Sequence, residues 1–86
     1  MKKLNNTIKT QRLRLLRRLQ EGPCTTTEAR HKLDILGVAP RVHELRYQYG
    51  FNIKTLWTDD HNPGGGRHRV AKYVLMQGKW TGGTYE

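Results

Sequence analysis

The hydrophobic period of the chain changes once, at Gly50, and that change restricts its fold more than any other feature. Before it, apolar residues recur three and four positions apart, the spacing of a helix that buries one side. After it they alternate with polar residues, as in a half-buried strand. Ile8, Leu15, Leu16 and Leu19 make the first helical stripe, which runs to about Gln20. Thr7 and Thr10 can both cap it. Because Arg12 falls within the stripe, Thr10 is the expected cap and the last two turns are the expected buried part. Gly22-Pro23 stops that helix, with glycine placed for a left-handed C-cap. Thr25-Thr26-Thr27-Glu28 has the spacing of a capping box, Thr25 as N-cap and Glu28 reaching back to its amide. The second helix buries Ala29 and Leu33 and stops before Gly37, and Ile35, Leu36 and Val38 add apolar contacts through the turn. Pro40 suits the first residue of a third helix, where its missing N–H is no loss. Val42, Leu45 and Tyr49 share one face of that helix, and Gly50 ends it.

Beyond Gly50, Phe51, Ile53, Thr55 and Trp57 alternate with Asn52, Lys54, Leu56 and Thr58, which predicts a strand. Asp59 to His68 reads as a long turn around Asn62-Pro63-Gly64-Gly65-Gly66. Arg69 to Met76 is the second strand, with Tyr73 and Leu75 facing the core. The expected organisation is a basic arm over 1–9, one domain over 10–76 and a loose tail over 77–86, despite Trp80 and Tyr85. Three helices followed by two strands give a mainly α fold with a small β-hairpin, the order of a minimal winged helix-turn-helix with a two-stranded wing.

Eighty-six residues hold one core, since a chain of this size buries only about 60% of its unfolded surface. Sixteen Lys and Arg against seven Asp and Glu give a net charge of +9, which draws polyanions. Lys2, Lys3, Lys9, Arg12, Arg14, Arg17 and Arg18 all precede the first acid, Glu21. An anionic membrane or an acidic protein would answer such a charge, but nucleic acid is the default partner of a small basic domain. No apolar run approaches the ~20 residues needed to span a bilayer, and no apolar segment follows the basic N-terminus as a signal peptide requires. The lone Cys24 cannot form an internal disulfide and suits a reducing compartment. A cytoplasmic, nucleoid-associated location is the expectation.

Thr27-Glu28-Ala29-Arg30, Leu36-Gly37-Val38, Pro40, Arg41-Val42-His43-Glu44-Leu45-Arg46, Gly50, Ile53-Lys54-Thr55 and the run from His68 to Leu75 together resemble a family of small helix-turn-helix proteins found in bacterial and prophage genomes. The resemblance spans Thr25 to Met76 and covers both the helix pair and the wing. It implies the fold; the basic charge and the element order together give the expectation of duplex DNA binding, as a small transcriptional regulator or an architectural accessory factor. In one respect the chain departs from it. The Ala29 to Gly37 spacing exceeds that of the tight repressor-type turn, so the third helix meets the groove at its own angle.

In such a module the third helix enters the major groove. The buried stripe leaves His43, Glu44, Tyr47 and Gln48 on the far side, with Arg41 at the flank, as readers of base edges or phosphates. Arg46, at the edge of the stripe, either pairs with an acid or touches DNA. Arg67, His68 and Arg69 bring charge from the hairpin turn to a phosphate or the minor groove. Thr26 and Thr27, at the start of the second helix, offer amides and hydroxyls to phosphate.

Rival chemistries find less support. His31, His43, His61, His68 and Cys24 show no zinc-finger spacing, so no metal is expected. Gly64-Gly65-Gly66 precedes a strand rather than a helix and reads as a turn, not a phosphate loop. No catalytic residue and no cofactor is implied, and Asp59, Asp60 and His61 lie in a turn that would not hold a nuclease site rigid. No aromatic sheet platform for stacking RNA bases is evident. The alternative from another class is a winged helix that docks a protein, with Trp57 and Trp80 as anchors if exposed. A homodimer on DNA is compatible with the small core.

Overall fold

The computed structural model describes residues 6–61 and 66–82. Helix α1 spans Ile8–Glu21, strand β1 Cys24–Thr25, helix α2 Thr26–Lys32, helix α3 Val38–Tyr47, strand β2 Phe51–His61 and strand β3 Arg67–Lys79. The three strands form one antiparallel sheet in the order β1-β3-β2. The expected two-stranded wing is therefore extended by a third strand. Cys24 pairs with Tyr73 and Thr25 with Lys72, directly after the α1 stop at Gly22-Pro23. Two residues are too few to carry a period, which is why alternation did not reveal this strand.

Helices α1 and α2 start where a side chain can satisfy a free amide. Thr7, not Thr10, caps α1: its Oγ1 accepts from the Thr10 amide at 3.2 Å, so the helix begins one turn earlier. Arg12 falls inside it without spoiling the buried stripe, because its guanidinium reaches sideways to α3. Thr25 caps α2 as the sequence predicts, accepting from the Glu28 amide at 3.1 Å. The start of α3 differs. Gly37 is its N-cap and Pro40 its third residue rather than its first. The proline costs nothing there, because the first turn's N–H groups have no helical acceptor in any case. At the other end, Gly50 takes φ +77 and its amide returns to the Arg46 carbonyl at 3.0 Å, a left-handed close that favours glycine.

Leu15 and Leu19 of α1, Ala29 of α2, Ile35 in the turn, Val38, Val42 and Leu45 of α3, and Ile53, Ala71 and Tyr73 of the sheet form one core, with Cys24 sealed inside it. Tyr49 is not part of it. It lies past the end of α3 and is 55% exposed, so the α3 stripe consists of Val38, Val42 and Leu45 with Arg46 beside them.

The hairpin is longer than its composition suggests. Asp59, Asp60 and His61 belong to β2 and pair with Arg69, His68 and Arg67 rather than lying in a turn. These pairs lie beyond the apolar core, so polar residues cease to argue against a strand. Strand β3 also runs on to Lys79, and the Trp80 amide donates to the Gly50 carbonyl at 3.0 Å. Residues 77–80 of the segment expected to be loose are thus tied to the base of β2. Gly64, Gly65 and Tyr85 lie outside the described residues, as does the arm that carries Lys2 and Lys3.

Candidate nucleic-acid interface

Ion pairs absorb much of the basic charge on α1. Arg18 bonds Glu28 through Nη2 at 2.7 Å and the carbonyls of Gly22 and Pro23 at 3.1 and 2.9 Å, stapling the end of α1 to the start of α2. This partner, with the Thr25 amide as a lesser contributor, holds the Glu28 carboxyl below the usual carboxylate range. Arg14 donates to the Leu33 carbonyl at 2.8 Å. Arg12 Nη1 meets Glu44 Oε1 at 3.0 Å, and Arg41 Nε meets the same oxygen at 2.8 Å. Burial pushes the Glu44 carboxyl up, but the two guanidiniums outweigh it and set the group below its ordinary value.

Arg41 and Glu44, expected to read bases, are therefore placed in a triad that joins α1 to α3, their side chains only 12% and 19% exposed. The i, i+3 spacing of the pair was visible in the sequence; the third member, Arg12, comes from another helix. Arg46 is the larger surprise. It is only 8% exposed, buried between α3 and the sheet. Its Nε donates to the Ile53 carbonyl and its Nη2 to Thr55 Oγ1, both at 2.8 Å, and its guanidinium sits 4.3 Å from the Trp80 ring centroid. It fastens α3 to the sheet. A carbonyl, a hydroxyl and a ring are among its partners, and charge pattern reveals none of the three.

The outward positions of α3 are Ala39, Pro40, His43 and Tyr47, followed by the exposed Gln48 at the C-cap. The His43 and Tyr47 rings stand 4.4 Å apart, and Tyr47 meets Trp80 edge-on at 6.0 Å. Facing residues of β2 and β3 share a face of the sheet, and the face toward the helices carries Ile53, Thr55, Trp57 and Asp59. Along it burial fades from the enclosed Ile53 to Trp57, which is 50% exposed. The Arg69 guanidinium lies 5.3 Å from the Trp57 ring centroid. Between α3 and this face runs a cleft of about 320 Å³, with Ala39, Val42 and His43 on one wall and Trp57, Ala71 and Tyr73 on the other.

Four other expected contacts sit at the wing or beside it. His68 is exposed opposite Asp60 in the ladder. Arg67 starts β3, and its side chain lies outside the described residues. Thr26 Oγ1 donates to the Ala71 carbonyl at 3.4 Å, and Thr27 Oγ1 to Asp60 Oδ2 at 2.8 Å. The two threonines thus tie the start of α2 to the hairpin. The structure brings His43 and Trp57 to one cleft with Arg69 against the Trp57 ring, while Thr27 and His68 attach near the outer hairpin and Gln48 lies at the far end of α3. Trp57 is the cleft residue that the base-reading logic passed over; a large aromatic near the solvent end of an alternating strand was its signal.

The family model described as a winged helix-turn-helix domain matches residues 10–78. The chain belongs to that family. No curated protein and no solved structure gives a match. Winged helix-turn-helix domains are in general DNA-binding modules rather than enzymes. In this winged helix-turn-helix domain, no helix among the described residues is long and apolar enough to cross a membrane.

Proposed function

We propose that the domain binds double-stranded DNA, with α3 in the major groove and the hairpin against the backbone or minor groove. It would act as a small transcriptional regulator or architectural accessory factor of the bacterial or phage kind. The observation that carries this reading is the shared cleft. His43 on α3 and Trp57 on the hairpin flank one concavity, and Arg69 lies against Trp57 at its solvent end. A net charge of +9 draws the duplex toward it. Arg41 and Glu44 serve here by fixing α3 on α1, and Thr26 and Thr27 by holding the hairpin.

The test is binding to random-sequence duplex DNA across a salt titration, with Arg69→Ala and Arg41→Ala alongside. Affinity should fall steeply with salt, and the log–log slope should flatten by about 1 in Arg69→Ala if that side chain neutralises one phosphate. A duplex left unbound at ~50 mM salt would overturn the reading.

A second reading, docking of a protein or another copy of the chain, is favoured by a different surface. An apolar groove of about 300 Å³ lies among Leu13 and Leu16 of α1, Leu45 of α3, Tyr49 and Phe51. Sedimentation of the free and DNA-bound protein separates a dimerising groove from an idle one.

A further inference from the structure

Resting on the DNA reading above, we propose that the cleft between α3 and the hairpin takes up one unpaired nucleobase of a DNA strand, stacked on Trp57. The domain then prefers duplexes with a bulged or otherwise unstacked base over fully paired ones. Three observations converge on this.

Within α3 the outward face lacks the side chains that read paired bases in the commonest ways, and Gln48 follows only at the C-cap. Among the described residues it offers Ala39, Pro40, His43 and Tyr47, while Arg41 is held by Glu44 and Arg46 is buried. No guanidinium on it is free to fork onto guanine, and its aromatic side chains offer ring faces. In a paired duplex only base edges reach the groove, whereas base faces are covered by their neighbours. An aromatic face meets a base face only when that base leaves the stack.

The cleft itself has walls suited to a flat ligand. Aromatic rings enter it from two elements, His43 from α3 and Trp57 from β2, and the Tyr73 side chain lies deeper. Trp57 leaves half its surface in water although its partner across the ladder, Ala71, belongs to the core. A ring so placed has apolar area to gain from a stacked base. His43, exposed at the opposite wall, supplies ring nitrogens to the edge of that base.

Charge is present where the strand would pass. Arg69 lies on the Trp57 ring, which orients the indole and places a cation beside it for the phosphate flanking the captured base. A neutral aromatic peptide would gain nothing from that cation, whereas a nucleotide engages ring and charge together.

Stacking one base on an aromatic side chain corresponds to roughly 5- to 150-fold in affinity. The experiment uses the full chain and two DNA duplexes that differ only in one extra 2-aminopurine, bulged in the first and absent from the second. A third duplex holds 2-aminopurine paired with thymine. At fixed salt the bulged duplex should bind at least 5-fold more tightly than the others, with its 2-aminopurine fluorescence quenched on binding. Trp57→Ala should abolish both preference and quenching, while Trp57→Phe keeps most of the preference; circular dichroism checks that both variants are folded. Equal binding of the three duplexes, or a preference that survives in folded Trp57→Ala, overturns base capture and leaves the duplex reading standing. Failure to bind any of them overturns the duplex reading itself. A bulged RNA duplex bound more tightly than its DNA counterpart overturns the assignment to DNA.

Discussion

Replacing Arg46 by methionine tests the claim that a buried guanidinium, rather than apolar packing alone, joins α3 to the sheet. Methionine keeps the unbranched stem and loses the charge. Two hydrogen bonds from a charged donor disappear, to the Ile53 carbonyl and Thr55 Oγ1, each worth about 1.5–3 kcal/mol. The contact with Trp80 goes too, worth up to about 2 kcal/mol where it is desolvated. The total overstates the loss, because the three contacts share one group and are not additive. Removing the charge also relieves the several kcal/mol that its desolvation costs. A net loss of about 2–4 kcal/mol remains, a large part of the roughly 5–15 kcal/mol that holds a typical domain together. At ~4–8 °C per kcal/mol for a domain of this size, the thermal midpoint should fall by at least about 8 °C. Urea melts followed by helical circular dichroism measure this directly. Arg46→Lys should recover only part of the loss, because an ammonium cannot direct two planar donors to two acceptors. A methionine variant within about 1 kcal/mol of the parent, or a lysine variant as stable as the parent, would show that Arg46 does not fasten the helix.

Glu44→Gln releases Arg12 and Arg41 from their shared acid; the variant should bind duplex more tightly at low salt, with a log–log salt slope steeper by about 1 per guanidinium that reaches a phosphate, as fluorescence anisotropy would show. Thr25→Ala removes the acceptor of the Glu28 amide and should cost about 1 kcal/mol, read as a lower urea midpoint with unchanged m-value. Acid should weaken the fold in a defined window. Glu28 and Glu44 both titrate below their ordinary values in the folded chain. They therefore add stability above the unfolded value of about 4.3 and lose it as pH falls through the folded values. The urea midpoint should be flat between pH 7 and 5 as far as these two groups decide it, and fall below about pH 4.3. The Glu28→Gln/Glu44→Gln double variant should show a shallower fall.

The helices were legible wherever a residue type has a single strong local use. Gly22-Pro23 stopped α1, Thr25 with Glu28 opened α2, and Gly50 closed the region of α3. Ambiguity entered where two residues could do one job, as with Thr7 and Thr10, and where proline had several equivalent places in a first turn. Strand β1 escaped because its two residues have no period, and the outer hairpin because its place beyond the apolar core removes the apolar half of the pattern. Site residues followed the same division. Exposure of His43, Tyr47 and Gln48 came from helical phase alone, whereas the engagement of Glu44 by Arg12 depends on tertiary packing. The seat of Arg46 depends on a backbone carbonyl, and every residue has one of those.

Strand β1 has a consequence for how the domain comes apart. Its two pairings join residues far apart in sequence, so they must offset a loop-closure cost much larger than that of the β2–β3 hairpin. Such a short ladder cannot form ahead of the core that positions it. Although β1 is an edge of the sheet, its ladder includes the sealed Cys24 and the core residue Tyr73. Amide hydrogens in the β1–β3 ladder should therefore exchange only when the whole domain opens. Those near Asp59 and Arg69 should exchange through local fraying of the hairpin end. The shortest strand in the sheet would thus serve as its clock for global unfolding.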